Sequence, residues 1–145
     1  LIDPEALKVG SVTEEQIMAY EPMEKVYRKL LMMLSKYVSR YDSSQKMFLT
    51  GFNNATFDDI FFRSWFAQNG DTFFGSWFYG ESLDTRTLAA QYLLIRRAGM
   101  PSFKLRRVAA EVGIEVDESK LHDAEYDIWL TREVYRIVTG LEFEI

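Results

Sequence analysis

Cysteine is absent from the 145 residues, and histidine occurs once, as His122. Without thiolates the chain can form neither disulfide bonds nor the cysteine sites that bind structural zinc. Any bound metal ion would therefore be held by oxygen and imidazole ligands, which favours magnesium or manganese. No apolar run reaches the roughly 18 residues of a membrane-spanning helix, and no signal peptide is visible. We therefore expect a cytoplasmic protein without a membrane partner.

Positive charge is also scarce, since the formal net charge is −5. An acidic chain is poorly suited to broad, nonspecific binding of duplex DNA through phosphate contacts. Several basic residues do lie close together within residues 96–107. We interpret this stretch as a solvated helix surface rather than as a phosphate-binding patch. The hydrophobic content of 48% is typical of a globular protein, and we predict a single domain over residues 1–145.

Hydrophobic periodicity and capping residues predict a helix-rich α/β domain. An apolar run predicts a buried strand at residues 47–50, and residues 72–79 are a second candidate strand. We assign most of the aromatic rings of residues 71–82 to the core. The predicted helices are a short one opened by the capping box at Thr13 and five longer ones at residues 22–41, 58–68, 84–97, 102–112 and 124–138.

The single histidine belongs to the pattern H-x-A-x-x-D, formed by His122, Ala124 and Asp127. A neutral imidazole can accept a proton near neutral pH, and a carboxylate can bind a divalent metal ion. A surface histidine beside a helix-capping aspartate is the alternative interpretation. The motif alone leaves these two interpretations equally open.

A second pattern, N-x-x-F-D, runs from Asn54 to Asp58 and directly follows the predicted strand at residues 47–50. Open α/β sheets place their functional sites at such strand-to-helix turns. An acidic residue in the first turn of a helix is also common as a simple cap, whether Asp58 or Asp59 fills that role. This motif indicates a functional site only in combination with the motif at residues 122–127.

Taken in order, these segments resemble the DEDDh, or DnaQ-like, family of 3′→5′ exonucleases. Residues 54–58 resemble the second motif of the family, and residues 122–127 match its third motif. Residues 83–89 resemble the L-D-T-x-x-L-A helix start that lies between them, and residues 103–114 resemble the stretch before the third motif. Residues 3–23 resemble the segment after the family's first three strands. The resemblance covers nearly the whole chain, and it implies a ribonuclease H-like α/β fold.

The resemblance implies an enzyme that hydrolyses phosphodiester bonds at the 3′ ends of single-stranded nucleic acid with two divalent metal ions, Mg²⁺ or Mn²⁺. Asp58 and Asp127 would be metal ligands, and His122 would be the general base. Asn54 would hold the turn or a sugar hydroxyl of the substrate. Phe52 stands where many relatives have a histidine, so the role of that side chain does not carry over.

The first motif of the family, D-x-E on the first strand, has no convincing copy in this sequence. Asp3 and Glu5 fit the string, but Pro4 between them cannot donate to a central strand ladder. The residues around them also match a later segment of the family. We therefore expect an N-terminally incomplete domain, helix-rich as it stands, that lacks its first strands and by itself has little or no activity.

Three functions remain open at this point. DNA is favoured as the substrate, and an exoribonuclease of the same fold is the first alternative, because discrimination depends on contacts to the 2′-OH that the sequence does not reveal. The second alternative is a non-catalytic relative that binds nucleic acid or protein. A polymerase or a second copy of the chain is a further conceivable partner, without any residue that supports it.

Overall fold

The computed structural model of the chain describes residues 13–120 and 123–141. The predictions for His122, and those for Asp3 and Glu5, lie outside the described residues. The regular elements are α1 (Glu14–Met18), α2 (Met23–Leu34), β1 (Thr50–Gly51), α3 (Asp58–Gln68), β2 (Leu83–Asp84), α4 (Thr85–Tyr92), α5 (Leu105–Glu111) and α6 (Ala124–Thr139).

Capping residues set several helix boundaries where the sequence predicts them. The capping box at α1 is confirmed, since the backbone N–H of Gln16 donates to Thr13 Oγ1 and the Thr13 N–H donates to Gln16 Oε1. Asp84 caps α4 by accepting from the backbone N–H of Arg86 at 2.9 Å. At the far end of α6, Gly140 has φ of 68°, the left-handed conformation that commonly ends a helix.

Three predicted helices are longer than the observed ones, and two of these were predicted to end too late. We predicted that the second helix runs to residue 41, but α2 ends at Leu34, and the next hydroxyl, of Ser35, donates to the Leu31 carbonyl. We predicted that the fourth runs to residue 97, but α4 ends at Tyr92. There the Arg97 guanidinium donates to the Ala90 carbonyl at 2.8 Å, and the chain tightens into a 3₁₀ turn.

The fifth predicted helix starts too early. Ser102 does not cap it, and α5 instead begins at Leu105 after the extended residue Lys104. Pro101 precedes this stretch, and the residues between them lie outside any helix. The side chain of Phe103 packs against the core from this extended segment, so burial of that ring takes precedence over helix propagation.

The sheet is small and parallel. β1 pairs with β2 in the register Thr50 to Leu83 and Gly51 to Asp84, and a bridge joins Met47 to Phe78. The strand predicted at residues 47–50 is therefore present in shortened form. The candidate strand at residues 72–79 contains only that bridge, because a 3₁₀ turn occupies Phe74–Ser76. The domain is helix-rich α/β, and within the described ranges no helix is long and apolar enough to cross a bilayer.

The interior consists of two clusters of buried side chains, which pack different helices. The aromatic cluster lies between α2, α3 and the segment that leads to β2. The aliphatic cluster lies where α4 and α5 pack against α6. The aromatic cluster comprises Tyr27, Leu34, Phe66, Phe74, Trp77 and Phe78, and the aliphatic cluster comprises Ala89, Leu93, Val108, Ala109, Leu130 and Val134.

Candidate functional site

A cleft of about 920 Å³ lies beside β1, between the start of α3 and one face of α6. Asp58 and Asp127, the two carboxylates singled out by the sequence motifs, both line it, and so does Asn54. Apolar side chains such as Phe62 and Ile128 form much of the remaining wall. The cleft therefore combines an apolar wall with a few acidic side chains, an arrangement typical of ligand sites.

Asp58 is the first residue of α3 and is exposed at the mouth of the cleft. The preceding Phe57 has φ of −135° and makes no capping hydrogen bond. The N–H groups of the first helical turn carry partial positive charge, which favours an anion at this position. Asp58 is therefore an exposed acidic side chain at the start of α3 that is accessible from the cleft.

Asp127 lies in the first turn of α6 and is half-buried. Its backbone N–H donates to the carbonyl of Asp123, the residue that caps this helix. Asp127 and Thr131 follow each other at helical spacing along the cleft. Leu130 and Val134 lie on another face of α6 and are fully buried in the aliphatic cluster. Burial of that face fixes the rotation of α6 and so directs Asp127 toward the cleft.

A buried bracket joins the end of β1 to α3. Asn54 is only 3% exposed, and its side-chain amide donates to Asp59 Oδ1 at 3.1 Å. The second oxygen of Asp59 accepts from the hydroxyl of Ser82, just ahead of β2. Gly51 is required here, because a Cβ at this position would lie 2.7 Å from the Cβ of Asn54. The Asn54 amide thus links the turn after β1 to α3.

Burial raises the pKa of the Asp59 carboxyl. The hydrogen bond from Asn54 and the charge of Arg63 oppose that shift, and the charges of Asp58 and Asp84 add to it. The sequence treated Asp58 and Asp59 as interchangeable caps, whereas the structure separates an exposed carboxylate from a buried one. The sequence alone could not distinguish the two aspartates, because Ser82, the second partner of Asp59, comes from a distant segment.

A second set of hydrogen bonds connects the turn before α3 to the start of α4. Asn53 adopts the left-handed conformation with φ of 67°, and its backbone N–H donates to Asp84 Oδ1 at 2.9 Å. The Arg86 guanidinium in turn donates to Asn53 Oδ1 at 3.0 Å. The segment that starts with Leu83 and Asp84 therefore positions the turn that precedes Asp58. Phe52, on the other side of this turn, packs against the aliphatic cluster.

Asp58 and Asp127 do not complete a metal site by themselves. Within residues 13–120 and 123–141, no three histidine, aspartate or glutamate side chains lie close enough together to bind one metal ion. The oxygen donors present are of the chemical type that Mg²⁺ and Mn²⁺ prefer, but their number is too small. His122, the third predicted site residue, lies outside the described part.

Comparison with protein-family models, with curated proteins and with solved structures gave no match. The assignment of a function therefore depends on the sequence motifs and on the geometry of the cleft.

Proposed function

We propose that the protein is a 3′→5′ exonuclease of the DEDDh type that acts on single-stranded DNA. One observation carries this proposal: Asp58 and Asp127 belong to motifs far apart in the sequence, yet both line one cleft at the end of a parallel strand pair. A structural cap would have no reason to face a second motif across a cleft. The net charge of −5 is compatible with a substrate that is gripped only at its 3′ end.

The proposal extends to a ribonuclease H-like fold. Among the described strands, β1 pairs only with β2, so its other edge is left for a further strand. Leu49 and Phe62 line the cleft beside this edge and would pack against the apolar face of such a strand. A D-x-E motif on that strand would bring two more carboxylates to Asp58 and Asp127. We propose this position for the missing first motif.

Divalent metal ions would supply an activated water and stabilise the leaving 3′ oxygen when they are bound. Because no three acidic or histidine side chains of the described residues lie close enough together to bind one ion, no reaction step is assigned to the metal ions. The contribution of Asp58 and Asp127 is to present oxygen ligands on two separately packed helices. The cleft around them is largely apolar, which strengthens electrostatic interactions at the carboxylates.

His122 is proposed as the general base on the strength of the family resemblance. It precedes Asp123, the cap of α6, so it belongs to the segment that enters the helix. In a continuous helix, residues five apart are separated by about 140° around the axis, and His122 and Asp127 would then not share a face. His122 would therefore act from ahead of α6 rather than as part of the helix.

The direct test uses single-stranded DNA labelled at its 5′ end. We expect ladders that shorten from the 3′ end only when Mg²⁺ or Mn²⁺ is present. The 145-residue chain should be nearly inactive, and a version extended at its N-terminus by a D-x-E strand should be active. Cleavage without metal, or from the 5′ end, would contradict the proposal. Equal and substantial activity of both versions would show that the first motif was misplaced, and Asp3 and Glu5 would then have to be reconsidered.

Substitution of His122 by alanine in the active version should lower kcat by about 10²- to 10⁴-fold, because a general base is lost while the metal ligands remain. The Asp127→Ala variant should weaken Mn²⁺ binding as well, since it removes a ligand. Measuring kcat and Mn²⁺ affinity for both variants separates the two roles. Near-normal turnover of the His122→Ala variant would remove the main support for the family assignment.

The second candidate function is a non-catalytic relative that binds nucleic acid. It is favoured by the absence of a three-ligand group within the described ranges. The same oligonucleotides distinguish it, because such a protein would bind them without shortening them in any metal. A matched RNA oligonucleotide in the assay tests the exoribonuclease alternative.

A further inference from the structure

A second concave surface borders the aromatic cluster, because Trp77 of that cluster lines it. We call it the tyrosine groove and define it by Lys36, Tyr37, Arg40, Tyr41 and Trp77, which line a depression of about 610 Å³. Its rims are two rings that the fold leaves in solvent, since Tyr37 is 75% exposed and Tyr41 is 93% exposed. Phe73, 63% exposed, lies next to it.

The groove contains positive charge on an otherwise acidic chain. The Arg40 guanidinium lies 5.5 Å from the centre of the Trp77 ring, 5.7 Å from that of Phe73 and 6.0 Å from that of Tyr41. Its carboxylate neighbour, Asp71, is 3.7 Å away and already accepts a hydrogen bond from the hydroxyl of Tyr27 at 2.8 Å. Arg40 therefore shares Asp71 with the Tyr27 hydroxyl, and its guanidinium also lies beside three aromatic rings.

Lys36 adds a second cation, and it forms no ion pair with any residue of the described ranges. The nearest acidic side chain along the chain, Asp42, accepts hydrogen bonds from Ser44 and from the side chain of Gln45. These hydrogen bonds hold the Asp42 carboxylate within its own turn. Among the described residues, Lys36 therefore provides a cation without an ion-pair partner near the exposed rings.

Trp77 provides an unsatisfied donor in the wall of the groove. The residue is 2% exposed, and its indole N–H has no acceptor among the described residues. A buried donor without a partner destabilises the folded state, and a small movement of the exposed rim would give it access to a ligand oxygen. This N–H is the second, independent feature that indicates a ligand here.

We propose that the tyrosine groove binds a single-stranded nucleic-acid segment. Unpaired bases stack on exposed aromatic rings, cations beside those rings follow the phosphates, and this combination is how sequence-tolerant single-strand sites are built. A duplex fits poorly, because its stacked bases cannot reach Tyr37 and Tyr41 and the groove has only two cations. A proline-rich peptide also uses aromatic grooves, but it carries no anion for Lys36 and Arg40 to bind.

The position of the groove also indicates which part of a substrate it would bind. This step rests on the proposed function. Asp58 begins α3 at the cleft, while Phe66, near the other end of the same helix, packs in the aromatic cluster beside Trp77. The 11 residues of α3 span about 16 Å. A strand whose 3′ end lies in the cleft would therefore pass the groove several nucleotides upstream, and the groove would hold the body of the substrate.

The test is a titration of the ¹⁵N-labelled chain with a thymidine oligonucleotide. The three tryptophans each give one indole N–H resonance, and we expect that of Trp77 to shift while that of Trp129 stays in place. The Tyr37→Ala and Tyr41→Ala substitutions should each weaken binding by about 5- to 160-fold, the usual loss for one stacked base. The control is Tyr92→Ala, which also removes an exposed aromatic ring, here on α4. This substitution should leave the affinity for the oligonucleotide unchanged.

Two results would overturn the inference. One is oligonucleotide binding that neither moves the Trp77 resonance nor responds to the two tyrosine substitutions. The other is a shift of Trp77 caused by a proline-rich peptide and not by the oligonucleotide. The Asp58→Asn variant of the N-terminally extended version keeps the outcome distinct from that of the proposed function, because it should lose cleavage of the substrate and retain binding in the groove.

Discussion

The two core clusters fix their helices by different means. In the aromatic cluster, rings meet edge to face: Phe66 lies 5.0 Å from Tyr27 at 89° and 5.0 Å from Phe74 at 77°. In the aliphatic cluster, Ala89 and Ala109 are fully buried between α4, α5 and α6. Small side chains at such contacts let helix axes approach closely, whereas rings keep elements apart and constrain their angles.

This difference matters for the cleft because each cluster holds one of its walls. The aromatic cluster anchors α3, which begins with Asp58, and the aliphatic cluster anchors α6, which carries Asp127. The parallel strands β1 and β2 lie between them and connect to both through the hydrogen bonds of Asn53 and Asn54. The relative position of the two carboxylates is thus set by two cores rather than by one.

The largest expected effect comes from removing the central ring of the aromatic cluster. The Phe66→Ala substitution should lower the free energy of unfolding by about 3–5 kcal/mol, since Phe66 is fully buried. Its matched control is Phe61→Ala on the same helix, because Phe61 is 62% exposed. Urea unfolding followed by tryptophan fluorescence measures both. A similar loss in the two variants would mean that Phe66 is not buried as described.

A smaller effect should come from overfilling the aliphatic cluster. The Ala109→Leu substitution adds volume where three helices meet, and it should cost about 1–3 kcal/mol. Ala110→Leu, one residue later on the exposed face of α5, is the control and should be nearly neutral. The same urea experiment applies. A neutral Ala109→Leu variant would show that this cluster is loosely packed, which would contradict the contrast between the two cores.

How far the sequence predicts this arrangement depends on the range of each signal. The starts of α3, α4 and α6 were predicted because caps and first-turn residues act within a few positions of each other. The end of α2 was not predicted, since Met33, Tyr37 and Tyr41 continue a helical pattern but are exposed in the fold. Apolar residues at helical spacing show that the sequence can form a helix, and tertiary contacts decide where that helix ends.

The same distinction applies to the site. The two carboxylates could be named from their motifs, but their common cleft follows from packing that no local pattern encodes. The buried bracket of Asn54, Asp59 and Ser82 was not predicted, because its last member lies in a different segment. The exposure of Tyr37 and Tyr41 was not predicted either, because both continue the helical pattern of residues 22–41.

The smallest expected effect is a pH dependence that arises at the bracket. Because burial raises the pKa of Asp59 above its ordinary value of 3.8, the folded state binds this proton more tightly than the unfolded state does. The resulting stabilisation is complete below pH 3.8 and is lost as pH rises through the folded-state pKa. The Asp59→Asn variant lacks this loss, so its stability relative to wild type should increase with pH.

Urea unfolding at several pH values between 3 and 7 measures the difference in stability between Asp59→Asn and wild type. Asp117 offers a control in which the pH dependence should have the opposite sign. The hydrogen bonds from the side chain and backbone of Ser119 lower the pKa of Asp117, so wild type should gain on an Asp117→Asn variant as pH rises. A difference between Asp59→Asn and wild type that does not change with pH would show that Asp59 is solvated in the folded protein.

The central claim is that two separately packed cores bring Asp58 and Asp127 to one cleft, which we propose binds divalent cations. The most direct measurement is a double-mutant cycle on Mn²⁺ affinity with Asp58→Asn, Asp127→Asn and the combined variant, read from water proton relaxation. Side chains that share one ion should be coupled, with an interaction energy of about 0.5–3 kcal/mol. Strictly additive losses, or affinities that neither substitution changes, would contradict the account.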